Sequence, residues 1–363
     1  MAFKDNFSND KEGEYEVLFT QKDVPIFQNK VYVLEEEAKQ AEIGNVLLVQ
    51  SKNSGFIYNK NFNAALMNYD ANYNNEQANS VAFQTHLDTV LQKLLSFGIK
   101  GKKVVEVGCG KAVFFEKMLR EGIDCIGFDP TYEGNNPAII KDYFSEKYNQ
   151  INADVIIMRH TLEHIPEPFS FLHTIAKANN YRGNIFIEVP TFDWIKNKQA
   201  FWDIFYEHCN YFTEESLSLM FNDTITGNFF GGQYIYLWGD LSKLKNTIAL
   251  NKNSNYNVEK IFNQKFEHYQ NLLSKNNSAA VWGAGAKGST FLNLLDKEML
   301  NVQYVIDINP AKQNKFIARV AHKINAPSIL ETNPVENIIV MNENYLEEIK
   351  AIIKNKNIKL YNL

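Results

Sequence analysis

The sequence predicts an α/β protein: a doubly wound parallel sheet, preceded by a small domain and followed by a second α/β unit. Three observations carry this. From Lys102 to about Trp238, short apolar β-branched runs alternate with segments of helical spacing. The first of these runs ends in a glycine turn that leads into a helix. A second alternating unit with its own glycine loop begins at Ala279. A chain of 363 residues has room for two or three such domains and for a sizeable core.

Residues 1–78 mix β-like runs at 30–34, 46–50 and 56–58 with Asn-rich turns, and read as a small loop-rich domain. Residues 79–240 form the main domain. It opens with a helix in which Phe83, Leu87, Val90, Leu91, Leu94 and Leu95 recur at helical spacing behind Ser80, a suitable N-cap. Strands follow at 104–107, 125–128, 155–158, 184–189 and 233–238. Residues 241–278 are polar, rich in Asn and Lys, and read as a helical connector. Residues 279–363 form the second unit, with strands at 279–282, 303–308 and 337–341.

Hydrophobic residues make up 45% and charged residues 22% of the chain, values typical of a soluble globular protein. The net charge is −5, and no Lys/Arg block is interleaved with aromatics, so a nucleic-acid polymer is not expected as a partner. No run approaches the length of a membrane span, and a cytoplasmic location is expected. Cys109, Cys125 and Cys209 lie far apart and encode neither a disulfide framework nor a zinc knuckle.

The turn after the first strand reads Glu106-Val107-Gly108-Cys109-Gly110-Lys111-Ala112, with Asp129-Pro130 about twenty positions on, at the tip of the next strand. Glycines let a ligand approach the backbone, and the second acidic residue can hold ribose hydroxyls. A carboxylate ending the first strand repels phosphates and suits a cationic ligand. The pattern resembles motif I of class I S-adenosylmethionine-dependent methyltransferases, with alanine at 112 where that family often has a third glycine. The second loop, Gly283-Ala284-Gly285-Ala286-Lys287-Gly288, matches G-x-G-x-x-G more closely, and Asp307 follows it. It reads either as scaffold or as a site for the nucleotide portion of a substrate.

Four stretches extend the likeness: 55–59 with 69–73; 106–130; Phe205-Tyr206-Glu207-His208-Cys209-Asn210-Tyr211-Phe212 followed by Gly231-Gly232-Gln233; and 281–288 with 305–310. On these the chain resembles the bacterial sugar C-methyltransferase family. That resemblance implies a small N-terminal zinc-type domain, a Rossmann-like methyltransferase domain and a C-terminal Rossmann-like domain. It also implies S-adenosyl-L-methionine as cofactor and a nucleotide-linked keto sugar, or a related precursor of surface polysaccharide, as acceptor. The chain departs from the family twice. Ser51-Lys52-Asn53-Ser54-Gly55 stands where the family has Cys-x-x-Cys-Gly, so no structural zinc is expected. The family's Tyr-His-Glu-His reads Phe205-Tyr206-Glu207-His208, which brings an O- or N-methyl acceptor close behind a C-methyl acceptor.

Methyl transfer from a sulfonium requires alignment, exclusion of water and removal of a proton. His208 is the candidate base, Glu207 its orienter or a contact for sugar hydroxyls, and Tyr206 a candidate hydrogen-bond donor. Arg159 and His160, at the carboxyl end of the strand 155–158, are expected to line the cofactor, with His160 as second candidate base. His160 and His164 are four apart, but no third ligand is evident in the sequence and no metal is expected. By resemblance, Asp142 and Tyr143 hold the adenine. Tyr69 and Tyr73 are expected to fold over the cofactor from the N-terminal domain. Two rival readings are an inactive binding or scaffold protein, and an NAD-dependent enzyme using the second loop with Lys287.

Overall fold

The computed structural model describes residues 10–67, 73–246, 258–275, 278–354 and 357–363. Tyr69 lies outside the described residues.

The N-terminal segment contains β1 (Tyr15–Pro25), β2 (Val31–Tyr32), β3 (Ile43–Ser51) and β4 (Ile57–Asn59). The long β1 pairs antiparallel with β3, and β3 with β4. The Ser51 hydroxyl accepts from the backbone N–H groups of Asn53 and Ser54, and the Ser54 hydroxyl from that of Phe56, making a hydrogen-bonded turn.

The helix Val81–Ser96 begins where the spacing places it, with the Ser80 hydroxyl accepting from Phe83 N–H. It leads into β5 (Lys103–Val107), β6 (Asp124–Phe128), β7 (Ile139–Ile140), β8 (Val155–Arg159) and β9 (Asn184–Pro190). The short β10 (Asn210–Tyr211) leaves this sheet and pairs antiparallel with β4, extending the N-terminal sheet with main-domain residues. The hairpin β11 (Thr224–Phe229) and β12 (Tyr234–Asp240) completes the central sheet, whose order is β11-β12-β9-β8-β5-β6-β7.

The pairs from β9 to β7 are parallel, but β12 runs antiparallel to β9. This departs from the all-parallel expectation for the run 233–238. The cause is local: Gly231 and Gly232 have φ of 65° and 85°, and they turn the chain back on β11 as a hairpin.

The last part contains β13 (Ala279–Trp282), β14 (Val302–Ile306), β15 (Phe316–Ile317), β16 (Ile324–Asn325), β17 (Asn337–Val340) and β18 (Lys359–Asn362). Five of these form a parallel sheet in the order β16-β14-β13-β17-β18, while β15 pairs with β2 of the N-terminal segment. The helix Glu259–Lys275, read from sequence as a connector, buries Phe262, Tyr269 and Leu273. Tyr269 meets Trp202 and Phe291 edge-on. One apolar core therefore joins β1 and β3, residues 192–211 and the C-terminal sheet. It ties the segment carrying the Glu207-His208 block to both neighbours. Among the described residues no helix is long and apolar enough to cross a membrane.

Candidate active site

The first glycine loop lies at the carboxyl ends of β5 and β6. Gly108 N–H donates to Phe128 O at 2.8 Å, and the loop is pinned by Asp129, whose Oδ2 accepts from Gly110 N–H at 2.8 Å. Asp129 Oδ1 accepts from Thr131 N–H and Oγ1–H; Pro130, between them, is exposed. Gly108 has φ 77°, and a Cβ there would meet Thr161 Oγ1 at 2.3 Å; a Cβ at Gly110 would meet nothing within 4 Å. Ala112 also has a left-handed φ of 65°, which costs about 1 kcal/mol in a residue other than glycine.

Glu106 is 3% exposed and its Oε2 has no partner. Burial pushes its carboxyl up to about 7; the Arg159 guanidinium opposes this and Asp129 adds to it. An orphaned buried carboxylate oxygen beside an open glycine fits a ligand that brings a cationic or N–H donor group and ribose hydroxyls, as S-adenosylmethionine does.

Other residues expected to hold the cofactor are placed differently. Asp142 is bound by Lys147 Nζ at 2.7 Å and Tyr148 Oη at 2.6 Å, which hold its carboxyl down at about 2. Tyr143 is 69% exposed, while its neighbour Phe144 packs edge-on against Phe128. The Arg159 guanidinium does not reach the cavity described below. It pairs with Glu188 at 2.5 Å and lies over the Phe114 ring at 4.4 Å. His86 Nε2 sits 2.9 Å from the other Glu188 oxygen. Burial pushes the Glu188 carboxyl up, but Arg159 and His86 outweigh it and hold the group well below the usual carboxylate range. Sequence reasoning missed this cluster because Glu188 reads as one polar residue in an apolar strand.

The Glu207-His208 block follows β9 and the helix Phe192–Lys198. Tyr211 Oη clips the turn by accepting from Phe205 N–H and donating to Phe205 O, both at 3.0 Å. Successive side chains then go to different places. Phe205 and His208 face a cavity of about 240 Å³, their rings 4.2 Å apart. Tyr206 faces away: its ring packs on Gly44, and its hydroxyl accepts from Asn63 N–H and donates to Asn61 O. It is therefore a core residue of the N-terminal sheet, not a donor in the site. Glu207 is fully buried, and its carboxylate accepts from the N–H groups of Gln28 and Asn29 and from Tyr73 Oη at 2.6 Å. Those bonds make it a clamp on the N-terminal segment, and its backbone carbonyl accepts from His164 Nδ1 at 3.0 Å. Tyr73 lines the cavity beside this clamp.

The cavity is walled by His160, Glu163, His164 and Tyr234 from the central sheet, by Tyr73, and by Gly283, Gly285, Lys287, Asp307 and Lys312 from the C-terminal sheet. His160 sits at a left-handed φ of 50° with its ring 4.6 Å from that of Tyr234. Burial, together with the charges of His164, His160 and Lys287, holds His208 well below the usual imidazole range, so it is neutral at pH 7. Lys287 crosses from the second glycine loop to Asp203 at 2.9 Å and lies 4.3 Å from the Trp194 ring centroid. The second loop repeats the build of the first: Asp307 Oδ2 accepts from Ala284 N–H, and Oδ1 from Asn309 N–H, both at 2.8 Å. Buried Lys312 stands beside it, its Nζ donating to Ala284 O at 3.3 Å. Lys287, Lys312 and Asp203 have no marker in the sequence that ties them to His208; only the packing of the two sheets does so.

Residues 80–224 match the family model described as "Methyltransferase domain", and residues 243–359 match "C-methyltransferase C-terminal domain". The first match takes in the glycine loop and the central sheet as far as the start of β11. The chain is 33% identical over 129 residues to the ubiquinone biosynthesis O-methyltransferase of Photorhabdus laumondii, covering 31% of this chain and 51% of that protein. It is 35% identical over 115 residues to the enzyme of the same name from Yersinia enterocolitica, covering 28% and 46%. The chain thus spans about half the length of these curated relatives. Among solved structures, a SAM-dependent methyltransferase from Archaeoglobus fulgidus aligns with TM-score 0.31 and 22% identity, over 50% of this chain and 86% of that one. The magnesium protoporphyrin IX methyltransferase of Synechocystis, solved with bound SAH, aligns with TM-score 0.32 and 17% identity, over 47% and 88%.

Proposed function

We propose that this chain is an S-adenosylmethionine-dependent methyltransferase whose acceptor is a small polar molecule, a nucleotide-linked keto sugar methylated at carbon. The observation that carries the reading is the shared cavity: His208 and His160 on one wall, the Gly283–Gly288 loop with Lys287 and Lys312 on the other. One wall offers the imidazole of His208, which burial keeps unprotonated at neutral pH, with His160 beside it. The other offers glycine backbone and two buried ammonium groups, a setting for a phosphate-bearing ligand. The match of 243–359 to a C-methyltransferase C-terminal domain supports carbon as the first choice.

The cofactor, when bound, supplies a methyl group on a sulfonium leaving group. Glu106, Gly108, Gly110 and Asp129 are the residues proposed to hold it. His208 takes the proton alpha to the ketone, and burial leaves its imidazole unprotonated at neutral pH. Lys287, paired with Asp203 on the facing wall, is the cation proposed to stabilise the developing negative charge. Tyr73, held by Glu207, closes the site from the N-terminal side.

A hydroxyl acceptor is the second reading, and the observation in its favour is Phe205 in the cavity wall: where the resembled family has tyrosine, this position offers no phenol to an enolate. The test is incubation with labelled S-adenosylmethionine and a panel of keto and reduced nucleotide sugars, with His208→Asn as control. Methylation of keto sugars alone, lost in the variant, supports the carbon reading. Methylation of reduced sugars supports the oxygen reading. Labelling of neither panel by protein that binds the cofactor overturns the nucleotide-sugar acceptor.

A further inference from the structure

The sequence offers His160 and His164 as a pair without a third ligand; the fold supplies one from far along the chain. His208 is brought beside His164 with ring centroids 4.8 Å apart, and Glu163 lies on the same wall. One ligand atom from each of Glu163, His164 and His208 lies within 4.8 Å of the others. In a tetrahedral zinc site, bonds of about 2.0–2.1 Å leave ligand atoms roughly 3.3 Å apart, so small side-chain rotations close the set.

Two further observations separate this cluster from ordinary hydrogen bonding. His164 Nδ1 faces the Glu207 carbonyl oxygen, so it carries the proton and Nε2 is left with its lone pair; a carbonyl partner on the far nitrogen is what orients metal-binding imidazoles. Glu163 is 1% exposed, its Oε2 has no partner, and its Oε1 is 3.6 Å from His160 Nδ1, beyond hydrogen-bond range. A buried carboxylate oxygen without a donor is costly unless a cation meets it. The neighbouring set His86, His160 and Glu188 differs, because Glu188 is already paired with the Arg159 guanidinium.

The geometry points to a divalent transition-metal site formed by Glu163, His164 and His208, a two-histidine, one-carboxylate set with its remaining positions open to the cavity. The site takes a first-row ion such as Zn²⁺, Co²⁺ or Mn²⁺. With the ion bound, His208 is a ligand and gives up the role of base assigned to it above, which passes to His160, whose Nε2 is buried without a partner. What the ion does for an acceptor oxygen rests on the methyltransferase reading; its binding does not.

The experiment uses the full chain without a histidine tag, stripped with chelator and titrated with Co²⁺ by calorimetry and visible absorption. S-adenosylhomocysteine binding is measured in parallel. The expected result is one Co²⁺ per chain with a ligand-field band, and affinity at least about tenfold weaker in both Glu163→Gln and His164→Gln. Retained S-adenosylhomocysteine binding in both variants establishes that they are folded; if either loses it, His208→Gln takes its place. No Co²⁺ uptake by wild type that binds S-adenosylhomocysteine overturns the metal site and leaves the methyltransferase reading intact. Uptake indifferent to these substitutions also overturns it. Co²⁺ uptake without S-adenosylhomocysteine binding upholds the site and sinks the cofactor assignment.

Discussion

Glu106→Gln is the substitution whose effect follows most directly from the structure. The wild-type carboxyl lies one residue before the end of β5 with one oxygen unpartnered, and burial raises it from 4.5 to about 7. A group raised in the folded state binds protons there that the unfolded chain has released. Stability from this residue is therefore fully present below about pH 4.5, falls as pH rises toward 7, and stays lost above that. A displacement of this size corresponds to about 3 kcal/mol. Glutamine cannot ionise and resembles the protonated form. The variant should match wild type near pH 4.5 and exceed it by up to about 3 kcal/mol at pH 8 in the absence of ligand. Urea unfolding at pH 4.5, 6, 7 and 8 measures the difference, and calorimetry gives the opposite effect on function. Affinity for cationic S-adenosylmethionine should rise through about pH 7 in wild type and stay low and flat in the variant. A stability difference that does not change with pH, or a variant less stable at pH 8, refutes this account of Glu106.

Other substitutions probe the remaining parts. Tyr73→Phe removes a hydrogen bond to the buried Glu207 carboxylate and should cost about 1.5–3 kcal/mol in urea unfolding, with a higher KM for any acceptor. Trp202→Ala empties a fully buried position where the helix Glu259–Lys275 meets the core, and about 3–5 kcal/mol should be lost. Gly288→Ala places a Cβ 1.9 Å from Gly283 O; it should disrupt the second loop and weaken binding of a nucleotide ligand while S-adenosylhomocysteine still binds. Limited proteolysis of this variant should report whether the damage stays in the C-terminal sheet.

Both glycine loops were legible because a β-branched run, a glycine turn and a helical spacing are all local, and an acidic residue a fixed distance on marks the next strand tip. The cap at Ser80 was legible for the same reason. The reversal of β12 was not, because its apolar run looks the same in either direction and only the Gly231-Gly232 turn decides it. Within the Glu207-His208 block the residue types were visible but their directions were not. A shift of one position decides that Phe205 faces the cavity and Tyr206 the N-terminal core. The role of Glu207 as a clamp is not legible in the sequence because its partners, Gln28, Asn29 and Tyr73, lie more than a hundred residues away. The Lys287–Asp203 pair was hidden for the same reason: it joins the two sheets.

The most direct test of the account is calorimetric titration with S-adenosylhomocysteine, comparing wild type with Asp129→Ala. Asp129 pins Gly110 and stands where ribose hydroxyls would be met. The account expects micromolar binding by wild type and its loss in a variant that still unfolds cooperatively. No binding by well-folded wild type, or equal binding by both proteins, would contradict the assignment of the central glycine loop as the cofactor site.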